Sequence, residues 1–127
     1  MNLDPFARVD DVPFSASPDE VLRLRGTPWR TGRNGIGLNE LDYGSVVFRF
    51  QDGGRLEEVT MPAPLVIVGT RSIAFEALAS FLRAADAGCF ERARFLVSPR
   101  FGIAFDPGEP YWVTALAAHC LDAWRRL

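Results

Sequence analysis

The chain has no lysine, a single histidine and two widely separated cysteines among its 127 residues. Each scarcity removes a class of function. One histidine with Cys89 and Cys120, and no CxxC spacing, cannot furnish a closed zinc site. No carboxylate run has the spacing of a calcium loop. No apolar stretch approaches the ~20 residues that a membrane helix needs. The N-terminal MNLDPFARVDD has neither the basic nor the apolar region of a signal peptide. Both GxGxxG and the Walker pattern are missing. These absences lead us to expect a cytoplasmic protein with two reduced thiols, no metal, no cofactor and no membrane segment.

Charge is nearly balanced. Fourteen arginines face sixteen acids, for a formal net charge of -2, so no general attraction to nucleic acid is expected. What is plentiful is apolar: 48% of residues are hydrophobic, which argues against disorder. A chain of this length can bury roughly two-thirds of its unfolded surface. We expect one domain, 1–127, with residues 1–13 as a loosely ordered acidic lead-in.

Ser17 with Pro18 and Glu20 has the form of a capping box opening a first helix, and Gly26 that of its end. The glycine-rich GTPWRTGRNGIG (26–37) follows. A phosphate cradle needs the order strand, loop, helix. Here the glycines come after a helix and before a strand, so the segment reads as a flexible connection. IGLNELDY, SVVFRFQ and RLEEVTM read as strands, the last two joined through Asp52-Gly53-Gly54, with Val46, Phe48 and Phe50 on one face. The apolar run PAPLVIVG reads as a strand covered on both sides.

Thr70 or Ser72 would cap a second helix over 73–87, with Ile73, Ala77, Leu78, Phe81, Leu82 and Ala85 on its apolar stripe and Gly88 at its end. ARFLVS and RFGIAFD are further strand candidates. YWVTAL, rich in aromatic and β-branched residues, reads as a strand with a short helix behind it, although Trp112, Leu116, Cys120, Ala123 and Leu127 also suit one long helix from Pro110. The fold expected is α+β: an antiparallel sheet of meanders packed against two main helices, with a helix and a three-strand meander in each half.

No catalytic constellation emerges. His119 and Cys120 are adjacent, so their side chains diverge and a direct dyad is not expected; His119 and Asp122 could pair on one helical face. The remaining candidates belong to a binding surface. Trp, Tyr and Arg most often carry interface energy. The partner-binding set is Trp29, Arg30, Arg33, Tyr43 and Trp112, with the acidic Glu40, Asp42 and Glu57 of the first meander attracting a basic partner. Several of these aromatics could equally close the core.

PFSASPDEVLRLRGTPW and LDYGSVVFRFQDGGRLEEVTM give a capped helix, a Gly-x-Pro break, a strand ending in Tyr, and an aromatic strand turning through Asp-Gly into Arg-Leu. With the later GIAFD before WVT, this pattern resembles small immunity proteins of bacterial toxin systems. The resemblance implies a cytosolic, non-enzymatic protein, monomer or homodimer, that neutralises a cognate toxin by occluding its active site. Alternatives are a type III-like secretion chaperone for an effector, and a small enzyme using dispersed carboxylates and arginines. A pocket of convergent polar groups with shifted pKa values would favour the enzyme; a flat acidic face would favour binding.

Overall fold

The first helix forms as its sequence requires. In the computed structural model, which describes residues 1–127, Ser17 Oγ accepts from Glu20 N at 3.2 Å and Glu20 Oε1 from Ser17 N at 3.3 Å, completing the capping box of α1 (Pro18–Arg25). Gly26, at φ 79°, ends it. The chain then runs through a four-strand meander: β4 (Arg30–Arg33), β5 (Asn39–Asp42), β6 (Val47–Phe50) and β7 (Leu56–Pro62).

After β8 (Leu65–Val68) and β9 (Arg71–Ala74) the layout repeats. The second helix α2 (Phe75–Ala85) leads into β10 (Phe90–Arg92), β11 (Phe95–Ser98), β12 (Ile103–Phe105) and β13 (Trp112–Leu116). The two meanders join through their last strands. β13 runs antiparallel to β7, from Trp112 opposite Pro62 to Leu116 opposite Glu58, and the pairing centres on Thr114 and Thr60. The result is one eight-stranded antiparallel sheet, β10-β11-β12-β13-β7-β6-β5-β4, with a two-fold character in its layout. A 3-10 turn (Ala118–Cys120) and α3 (Leu121–Arg125) follow β13.

The N-terminal segment differs from expectation. Residues 1–13 are no loose lead-in: β1 (Asn2–Asp4), β2 (Arg8–Val9) and β3 (Val12–Pro13) form a second sheet with β8 and β9, ordered β3-β2-β1-β8-β9. Leu3, Val9 and Val12 are buried, so apolar burial organises this short acidic stretch. β1 pairs in parallel with β8, the only such pair in the fold.

This small sheet and the helices α1 and α2 cover one face of the large sheet. Val46, Phe48 and Phe50 from β6 and its approach, Val59 and Met61 from β7, and Val113 and Ala115 from β13 point into that layer and meet Val21 of α1 and Phe75, Leu78 and Leu82 of α2. Strand alternation makes this possible, because every second residue faces the same side.

Three local expectations also change. Residues 71–74 continue as strand, so α2 begins at Phe75 with Ala74 at its N-cap and no side-chain cap; Thr70 and Ser72 do not serve. PAPLVIVG is not covered on both sides: Leu65 is 43% exposed. The meanders have four strands each: GTPWRTGRNGIG contains the edge strand β4 and is not merely a connection, and Phe90–Arg92 forms the edge strand β10 of the second.

Candidate functional site

The other face of the large sheet is covered over one half only. Leu116, Ala104 and Val97 on that face pack under Ala117, Cys120, Leu121 and Trp124, with the Trp124 indole edge-on to Phe95 at 5.2 Å. Over β5, β6 and β7 no such layer exists. Between α3 and the loop Asn34–Leu38 lies a cleft of about 550 Å³, and the strands supply its floor.

Alternation puts Glu40, Arg49, Thr60 and Thr114 side by side on that floor, one from each of β5, β6, β7 and β13. They form one continuous chain of hydrogen bonds. Arg49 Nε donates to Glu40 Oε2 at 2.7 Å, Arg49 NH1 donates to Thr60 Oγ1 at 2.6 Å, and the two threonine hydroxyls meet at 2.8 Å.

Two more carboxylates come from β7: Glu58, directly opposite Arg49, and Glu57, through a β-bulge. Phe50 pairs with Leu56 but its neighbour Arg49 pairs with Glu58, leaving Glu57 without an opposite residue. The extra residue breaks the alternation, so Glu57 and Glu58 both line the cleft although they are adjacent. Both are buried. Burial pushes the Glu58 carboxyl above the ordinary range for its type; the Arg49 guanidinium pulls it back, and the Glu57 carboxylate adds to the rise. Asp106 and Glu109 stand at the other end. Five carboxylates thus line the cleft with a single arginine, which Glu40 already engages; a second, Arg55, lies outside the lining with its Nε 4.0 Å from Glu57 Oε1. Trp112 and Ile36, 41% and 71% exposed, form an apolar rim.

Glu57 is also the centre of a smaller cluster. Its Oε1 accepts from His119 Nε2 at 2.7 Å and its Oε2 from the Cys120 thiol at 2.5 Å. The 3-10 turn brings both residues there, held by Ala117 N to Glu57 O at 2.9 Å and Cys120 N to Ala117 O at 3.0 Å. Burial pushes the Cys120 thiol well above its ordinary value, and the hydrogen bond to Glu57 pushes it further, so it is no thiolate nucleophile. As adjacency implied, His119 and Cys120 do not bond each other; each bonds the shared carboxylate. The possible His119–Asp122 pair does not form, since His119 turns to Glu57 and Asp122 faces Arg125.

Of the residues read from the sequence as partner-binding, the cleft gathers Glu40, Glu57 and Trp112. The others lie apart. Trp29 is 76% exposed ahead of β4, with the Arg30 guanidinium 5.7 Å from its ring. Arg30 pairs with the buried Asp42 at 3.0 Å, and Arg33 with Asp52 at 2.6 Å, so both cations act within the meander. The amide of Gly44 and then Arg30 hold the Asp42 carboxyl below the usual range. Tyr43 closes the core: its hydroxyl donates to Gly26 O at 2.9 Å and its ring meets Phe48 edge-on. Missing from the set are Arg49, Glu58, Thr60, Thr114, Asp106, Glu109 and Ile36. Alternation within RLEEVTM and YWVTAL could have grouped the threonines; only the tertiary fold brings Ile36 and Glu109 to the same cleft.

Comparison with protein-family models, with curated proteins and with solved structures gives no match for this chain. No helix is long and apolar enough to cross a membrane.

Proposed function

We propose that this chain is a binding protein that neutralises a partner protein, a bacterial toxin in the reading its sequence pattern first gave, by receiving a cationic segment in the acidic cleft. One observation carries this reading: five carboxylates and one already engaged arginine line a cleft rimmed by Trp112 and Ile36. A low-dielectric floor of one sign raises the local potential and steers an oppositely charged group inward. The exposed indole supplies the apolar contact area that anchors such interfaces. A flat acidic face was the mark set for binding, and a pocket of convergent polar groups with shifted pKa values the mark set for an enzyme. The cleft meets the second mark, so the binding reading rests on its excess of carboxylates, and Asp42, Arg30 and Arg33 take no part in it.

The test is co-expression with the product of the neighbouring upstream gene, scored by growth and by co-purification. Rescue of a toxic neighbour by a stoichiometric complex supports the reading, and loss of that complex on Glu109→Arg with Trp112→Ala localises it. A harmless neighbour and no complex removes it.

The converging floor of Glu40, Arg49 and Glu58 favours a second reading, a small enzyme in which Glu58 is the acid. Turnover of simple ester, glycoside or phosphate substrates that disappears in Glu58→Gln supports this alternative. Equal background rates in both proteins exclude it for those substrates.

A further inference from the structure

We propose that Glu57, His119 and Cys120 form a binding site for a divalent cation of the zinc class, with one coordination position open to the cleft. The donor set is mixed: one carboxylate oxygen, one imidazole nitrogen and one sulfur, all within 4.8 Å of one another. Zinc takes such ligands at about 2.0–2.3 Å, which sets tetrahedral neighbours roughly 3.5 Å apart. Small side-chain adjustments therefore suffice. A thiolate beside an imidazole selects zinc, or cobalt as its spectroscopic substitute, over magnesium and calcium, which demand oxygen ligands.

The site is already assembled by the backbone. The bulge directs Glu57 toward the turn, and the turn offers His119 and Cys120 to the same carboxylate from its two oxygens. Both contacts are hydrogen bonds, so one cation would occupy the place of two bridging hydrogens. On binding, the Cys120 Sγ–H bond breaks and its proton leaves to solvent, while sulfur donates to the metal. His119 coordinates through Nε2 as neutral imidazole, its hydrogen carried on Nδ1. The Glu57 carboxylate balances charge. Glu57 and Cys120 line the cleft, and the His119 side chain is 27% exposed, so an ion has an entry path. Three protein ligands and an open fourth position describe an accessible site, unlike a closed structural one. The sequence led us to expect no metal at all, on grounds that addressed only a closed zinc site; an open site departs from that expectation.

The experiment is cobalt titration of the untagged, chelator-treated protein. The expected result is one cobalt per chain, with tetrahedral visible bands and thiolate-to-cobalt charge-transfer absorption in the near ultraviolet, displaced by zinc. Zinc at a hundredfold excess over Kd should raise the Tm by on the order of 10 °C. Cys120→Ser should abolish the charge-transfer band and Cys89→Ser should leave it. His119→Gln, at a partly exposed position that tolerates substitution, should weaken cobalt binding at least roughly tenfold with an unchanged circular dichroism spectrum. Absence of cobalt uptake at micromolar concentration overturns the proposal. So does uptake that neither Cys120→Ser nor His119→Gln alters.

Discussion

The Thr60 and Thr114 hydroxyls meet at 2.8 Å, at the centre of the pairing that joins the two meanders. Thr60 is also the acceptor for Arg49 at 2.6 Å, so the two threonines are not equivalent. Thr114→Val removes one neutral hydrogen bond and should cost about 1 kcal/mol in urea unfolding. Thr60→Val also strands an arginine donor in the cleft floor and should cost more, about 2 kcal/mol. Equal costs would mean that Arg49 finds its acceptor elsewhere.

Gly102 sits at φ 62°, and a Cβ there would lie 2.7 Å from Phe6 Cε1 and 3.1 Å from Leu116 O. Backbone conformation and space both oppose a side chain. Gly102→Ala should destabilise by about 2–3 kcal/mol. Gly35→Ala, where nothing lies within 4 Å and φ is not positive, should change stability far less.

The β10–β11 hairpin runs the other way. Arg92 pairs with Phe95, leaving Ala93 and Arg94 as a two-residue turn with φ 49° and 76°. Both hold a left-handed conformation that side-chain-bearing residues resist. Ala93→Asn with Arg94→Gly supplies the residues this turn favours and should stabilise by about 1–2 kcal/mol, seen as a raised Tm.

This hairpin also shows where the sequence was mute. ARFLVS reads as six strand residues, and nothing in Ala-Arg announces a turn, so the strand start was misplaced. By contrast Ser17, Pro18, Glu20 and Gly26 each state a local rule, and α1 appears where they put it. Local chemistry was legible; pairing across the chain was not. The four-residue β4 is entirely exposed and has no apolar alternation to reveal it. The acidic cleft was half visible, because Glu40 and Glu57 could be grouped in one meander. The bulge that turns Glu57 to the same side as Glu58 depends on register, and His119 reaches Glu57 across 62 residues of sequence.

Asp86 supplies the clearest pH effect. Burial disfavours its ionised form, but the Arg100 amide at 3.0 Å, the Ser98 hydroxyl at 2.7 Å and the Gly88 amide at 2.8 Å outweigh that and hold its carboxyl below the usual range. A folded-state value below the unfolded one stabilises the fold at pH above the unfolded value of about 3.9, and the gain is lost as pH falls through the folded value. Asp86→Asn should cost about 1–3 kcal/mol at pH 7. The gap to the parent protein should narrow below pH ~4 when urea midpoints are compared. A gap constant down to pH ~2 would locate the acid sensitivity in another carboxylate.

Trp112→Ala should leave stability within about 1 kcal/mol, since the residue is 41% exposed, while weakening capture of the proposed partner by about 2 kcal/mol, roughly thirtyfold in Kd. Titration calorimetry with the purified partner reads the second effect and urea unfolding the first.

The meeting of β7 with β13 also governs the order of events during synthesis. β13 belongs in the middle of the sheet, between β12 and β7, yet every other strand of that sheet leaves the ribosome before it. Until residues 112–116 emerge, β7 and β12 are open edges that carry the buried faces of two unfinished meanders. The nascent chain therefore passes through a stage with its most adhesive surfaces uncovered, and closure waits on a contact that spans more than fifty residues, from Thr60 to Thr114. A ribosome stalled before Trp112 should hold a chain that recruits chaperones; one stalled far enough past Leu127 for β13 to clear the exit tunnel should hold a chain that no longer does.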